Sequence, residues 1–152
     1  MSYIKNAIKY LQEDEELKGN SEKGFVVNIE TETTSNKDFR KVLYTGKNLQ
    51  LVLMSLNPNE DIGEEIHENV DQFFRVDGGS GKVIINDEEH DIENGSAFIV
   101  PQGAKHNVVA GDEGIKLYTI YSPPKHKDGI INKTKEDAEK HDKDFNGKTT
   151  EE

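Results

Sequence analysis

The sequence predicts an all-β domain, a small barrel or sandwich of short strands. Three observations carry that expectation. From Gly24 onward the apolar residues recur at strand period. Turn signals separate them at short intervals: Asn57-Pro58-Asn59, Gly78-Gly79-Ser80-Gly81, Asp87-Glu88, Asn94-Gly95, Gln102-Gly103 and Gly111 to Gly114. In Leu49 to Leu56 both faces are apolar, with Leu49, Leu51 and Leu53 on one side and Val52, Met54 and Leu56 on the other. Such a strand is covered on both sides.

Taken in order, Ser2 to Leu17 places Ile4, Ala7, Ile8 and Leu11 on one helical face, with Gly19-Asn20 as a stop. Residues 1–23 are therefore expected as a helical extension. Its acidic run Glu13 to Glu16 would repel anionic lipid. Residues 24–133 are the β domain. Strands are expected at Phe25–Ile29, Val42–Tyr44, Leu49–Leu56, Gln72–Asp77, Lys82–Asn86, Ser96–Val100, His106–Val109 and Ile115–Tyr121. Gly78 to Gly81 lacks the lysine of a phosphate loop and is read as a hairpin turn between two strands. Residues 134–152 are almost wholly polar and are expected as a frayed helix or a disordered tail.

Composition narrows the function. The chain has 152 residues, enough for one domain, and a net charge of −11 from 30 acidic and 19 basic residues. That balance argues against nucleic acid, which needs a basic face to displace counterions. Cysteine is absent, which removes disulfides, thiolate metal sites and thiol nucleophiles. Without an apolar span or a leader-like segment, the expectation is a cytoplasmic protein with no membrane partner. There is no G-x-S-x-G elbow and no H-E-x-x-H.

Between Asn59 and Ala110 lie Glu65, His67, Gln72, Gly79, Gly95, Pro101, Gly103 and His106. Their order and spacing resemble the two motifs of the cupin superfamily. The second motif, G-x5-P-x-G-x2-H-x3-N, is present as Gly95, Pro101, Gly103 and His106, with Ala110 at the final Asn. In the first motif, G-x5-H-x-H-x3,4-E-x6-G, counting back from Gly79 puts Gln72 at the Glu position and His67 at the second His. Glu65 then stands at the first His and Asn59 at the opening Gly. A competing register takes His67 and Asn69 as the two His positions and Asp61 as the opening Gly, but leaves too few residues before Gln72.

The resemblance implies a cupin-type jelly-roll β-barrel and a divalent metal, Fe, Mn, Ni or Zn, at the family's ligand positions. In this chain those positions hold Glu65, His67, Gln72 and His106. The family's usual three His and one Glu carry one negative charge, and so does this set. Glu65 and His67, two apart on a strand, project to one face. Asn69 and Asp71 are expected in a loop, though either could replace Gln72.

With Gln72 pointing inward, Phe74 and Val76 line the barrel while Phe73 and Arg75 face out, and Phe98 and Val100 alternate with Ile99 in the same way. Tyr44 and Tyr121 are candidates for its rim. The segment Ser122 to His126 is either a surface loop or a rigid arm that carries His126 over the mouth. His90 is expected on the surface. An apolar barrel with a few converging polar groups is a small-molecule site. The resemblance further implies a metal-dependent enzyme on a small organic or sugar-like substrate, an isomerase or oxygenase. A metal-free binding module is the alternative. It also implies a homodimer, with Phe73 and the N-terminal helix as contact candidates.

Overall fold

The computed structural model describes residues 19–152, so the helix expected over residues 2–17 lies outside the described residues. The elements are α1 (Ile29–Ser35), β1 (Arg40–Thr45), β2 (Gln50–Leu56), β3 (Glu65–Ile66), β4 (Asp71–Ile85), β5 (Glu88–Glu93), β6 (Ala97–Val100), β7 (Lys105–Ser122), β8 (Ile131–Asn132) and α2 (Lys135–His141). The sheet is antiparallel, in the order β5-β4-β7-β2-β1-β8; β3 adds to β7 and β6 adds to β4. This is the all-β fold the sequence predicts.

Strand parity sorts the chain into core and surface. Val52 pairs with Val42 and Thr119, Phe74 with Thr119 and Phe98, and Val76 with Leu117. Apart from the half-buried Phe98, all of these are buried, and the apolar ones form one cluster to which Phe98 packs from the edge. Each such apolar side chain contributes roughly 1.5–3 kcal/mol by leaving water. Ile99, between Phe98 and Val100, is 63% exposed.

Gly78 to Gly81 is not a hairpin turn. Here β4 and β7 run on as single long strands, and their pairing shifts register between Val76 and Gly78 and again between Gly79 and Gly81. The glycines are needed because the two backbones nearly touch. A Cβ on Gly79 would lie 2.0 Å from the Gly114 carbonyl oxygen, and its φ is +79°. The antiparallel pairing joins the first half of β4 to the end of β7 and the second half to its beginning, and the bulges bend both strands between the two halves.

Two further expectations change. Phe25–Ile29 is no strand: Phe25 and Val26 are exposed, and Ile29 opens α1. The Asn28 side chain accepts a hydrogen bond from Thr31 N at 3.0 Å, and Glu30 and Glu32 sit in the first turn. Cap and charge decide a segment whose apolar run is too short to choose. Residues 134–152 are a structured arm. α2, capped by Thr134, buries Ala138 in the core. Beyond it, Lys127 N donates to Lys143 O, Phe145 N to Lys125 O, and Thr150 N to Thr45 O. Backbone bonds hold this arm, which its polar side chains could not announce.

Gly79→Ala should cost roughly 2–5 kcal/mol, from an overpacked contact and a left-handed backbone together. Gly129→Ala, where φ is +76° but no atom lies within 4 Å, should cost only about 1–2 kcal/mol. Urea unfolding of both variants measures the difference.

Candidate metal centre

β3 is only two residues long, yet it sets the site. It pairs Glu65 directly with His106 on β7. The chain enters it through a turn in which Asn59 takes φ +62°, a conformation asparagine tolerates better than most residues. On the other side of the site, Gly103 N donates to His67 O at 2.9 Å, with Gly103 at φ +84°. The Pro101–Gly103 turn thus ties the His67 loop to the start of β7.

Three side chains converge. His67 Nε2 lies 3.0 Å and His106 Nε2 3.9 Å from Glu65 Oε2, and ligand atoms of the three lie within 4.8 Å of one another. The two imidazole rings are 5.4 Å apart. Metal bonds of about 2.1 Å place neighbouring ligand atoms about 3.0–3.4 Å apart. The Glu65–His67 pair already has that spacing, and His106, 3.9 Å from Glu65, would close toward it.

The electronic states suit a cation. Burial pushes the His106 imidazole down, against the pull of Glu65, so the ring is neutral. Its Nδ1 is 3.5 Å from Ala104 O, and its buried Nε2 has no hydrogen-bond partner. Burial pushes the Glu65 carboxyl up, but the hydrogen bond from His67 and the nearby Arg40 guanidinium help outweigh it. The carboxyl ends below its ordinary value.

Gln72 is buried on β4, opposite Tyr121 and Val100. Its amide orientation is fixed by a neighbour. The Thr119 hydroxyl donates to Phe73 O at 2.8 Å, so it must accept from Gln72 Nε2, at 2.9 Å. That leaves Gln72 Oε1 buried and unpaired. Asp71 instead accepts from Gln102 N and stays at the sheet end.

Of the expected pocket residues, Phe74, Val76, Val100 and Tyr121 are buried in the core, and Phe98 stacks on Phe74 at 4.6 Å. Tyr44 does not line the barrel. A bulge between Val42 and Tyr44 turns it to the outer face, where it stacks on Phe25 and donates to Glu151 Oε2 at 2.5 Å. That bond pushes the phenol up to about 12.

His126 is buried, not a surface loop residue. Gln50 reads its backbone: Gln50 Oε1 accepts from His126 N at 3.0 Å and Gln50 Nε2 donates to His126 O at 2.7 Å. The ring then donates from Nδ1 to Asp142 at 3.2 Å and faces the Tyr121 hydroxyl, 3.3 Å from Nε2. Sequence reasoning missed Arg40, Gln50, Thr119 and Asp142. Strand parity from Val42 points Arg40 inward, but nothing local marks Asp142. His90 is exposed, as expected.

The family profile described as the Cupin domain matches residues 52–121. An uncharacterized Bacillus subtilis protein, YrkC, is 46% identical over 129 residues, which are 80% of this chain and 69% of that protein. This chain belongs to the cupin family. The uncharacterized protein L612 of Acanthamoeba polyphaga mimivirus is 38% identical over 74% of this chain and 73% of its own length. Among solved structures, BH2720 from Bacillus halodurans is 41% identical and superposes with a TM-score of 0.77, covering 80% of this chain and 98% of that one. Among the described residues of this cupin, no helix is long and apolar enough to cross a membrane.

Burial pushes the His126 imidazole below its ordinary value, although the bond to Asp142 acts the other way. The unfolded ring takes its proton near pH 6.5, the folded ring only at lower pH. Stability is therefore unaffected well above that value and falls as pH drops through it. His106 is shifted in the same direction and adds to the slope. Denaturation midpoints should decline between about pH 7.5 and about pH 5.5, less steeply in His126→Gln.

Proposed function

We propose that this cupin holds a divalent metal on Glu65, His67 and His106, with Gln72 Oε1 as a further oxygen donor. A small organic or sugar-like molecule binds beside it in the barrel. The observation that supports this is the pair of buried acceptors, His106 Nε2 and Gln72 Oε1, which are two of the seven buried side-chain polar atoms left without a partner among the described residues. Two imidazoles and one carboxylate suit Fe(II), Mn, Ni or Zn. The bound ion supplies a Lewis acid for a carbonyl or enediol oxygen, or a site for oxygen activation, as an isomerase or oxygenase needs.

The chain's own side chains do the rest. The Glu65 carboxylate orients His67 through their 3.0 Å contact. Phe74, Phe98 and Val100 exclude water from the barrel wall beside Gln72. Burial pushes the Tyr121 phenol up, so it keeps its proton and donates it to His126 Nε2 at 3.3 Å. A metal-free binding module is the second reading, favoured by the same Glu65–His67 contact, which satisfies both groups without an ion. The acidic, cysteine-free composition supports a cytoplasmic setting. The outer sheet face, where Phe73 lies 6.3 Å from Tyr118, supports a homodimer.

Protein purified without chelator should carry close to one transition-metal ion per chain by elemental analysis. Glu65→Ala and His106→Ala should each weaken metal affinity by at least about a hundredfold. Ligand binding that survives the double substitution would support the metal-free module instead. Light scattering at micromolar concentration should give a dimer mass; a monodisperse monomer contradicts the pairing.

A further inference from the structure

Arg40 opens β1 and is buried, yet its Nε makes no hydrogen bond. Among the described residues, the only carboxylate oxygen within 4.0 Å of the guanidinium is Asp142 Oδ1, 4.0 Å from Nη1. That is beyond hydrogen-bond length. Asp142 is already engaged, since Oδ1 accepts from His126 Nδ1. A buried guanidinium without paired donors is costly, so this cation stands ready for an anion.

Space for one is beside it. Arg40, Glu65 and Asp142, with Phe39, Ile62 and Ala138, line a cavity of about 140 Å³. Lys135 and Glu139 complete its rim, but the Lys135 ammonium is held by Asp61. Glu65 belongs to both this cavity and the His67–His106 cluster, so an anion on Arg40 is a neighbour of the metal site. Arg40 also helps hold the Glu65 carboxyl below its ordinary value. A short acid fits beside Arg40 in this cavity.

We infer that Arg40 anchors the carboxylate of a short 2-oxo or 2-hydroxy acid, whose adjacent oxygen faces the Glu65–His67–His106 cluster. The planar guanidinium fork matches a carboxylate in two parallel bonds. Asp142, at the end of the C-terminal helix, competes for Arg40. The inference rests on the proposed metal site for the second oxygen but not for the carboxylate.

Calorimetric titration of the full chain with pyruvate, with its neutral amide and with inorganic phosphate tests it, in zinc-loaded and metal-free protein. Pyruvate should bind in the millimolar range or tighter, and the amide should not. Arg40→Met should lose at least about tenfold in pyruvate affinity while zinc affinity stays within about threefold. Asp142→Asn should bind pyruvate several-fold more tightly. This second variant decides the matter if Arg40→Met does not fold, and unchanged or weaker binding there overturns the inference. Equal binding of pyruvate and its amide, a preference for phosphate, no binding to the parent chain, or full binding by Arg40→Met also overturns it. Failure to bind zinc removes the metal site alone; Arg40-dependent pyruvate binding to the metal-free chain still supports the anchor.

Discussion

The close crossing of β4 and β7 is the constraint on which the rest depends. Side chains are excluded where Gly79 meets Gly114 and where Gly81 meets Val109, because an added Cβ would lie 2.0 Å and 2.1 Å from a carbonyl oxygen. Bulges at that crossing let one strand serve two walls. The start of β7 delivers His106, which pairs with Glu65 on β3; its end delivers Thr119 and Tyr121, which meet Gln72 and Phe74 on β4. A slip of one residue in either half would exchange inward and outward faces and scatter the cluster.

The second organising feature is the closure of the barrel by the C-terminal arm. Gln50 uses both ends of its amide on the backbone of residues 125 and 126, and this brings the His126 ring between Tyr121 and Asp142. Tyr121 in turn presents its edge to His67, at 5.9 Å between ring centroids. Two polar networks therefore share Tyr121: one ends at the His67 cluster and the other at the arm. Arg40 stands where they approach, and the same arm that supplies Asp142 also roofs the cavity.

What the sequence made legible follows the range of the interactions involved. Gly95, Pro101, Gly103 and His106 are a local motif, and their spacing identifies a turn followed by an inward histidine. Parity places Phe74, Val76 and Val100 correctly because the period of a strand is fixed. Gly78 to Gly81 misleads because glycine marks both a turn and a close backbone approach, and only the partner strand distinguishes them. Phe25–Ile29 misleads because capping by Asn28 outweighs a short apolar run. Tyr44 misleads because one bulge reverses parity. Arg40 and Asp142 were invisible as a pair, being 102 positions apart (142 − 40) in a chain whose tail reads as solvent.

The proposed arrangement has Glu65, His67 and His106 surrounding one ion in a cupin barrel. Anomalous diffraction recorded at the Fe, Mn, Ni and Zn edges from crystals of chelator-free protein tests it most directly. A single anomalous peak is expected about 2.1 Å from Glu65 Oε2, His67 Nε2 and His106 Nε2. Well-ordered side chains with the Glu65–His67 contact intact and no anomalous peak between them would contradict it.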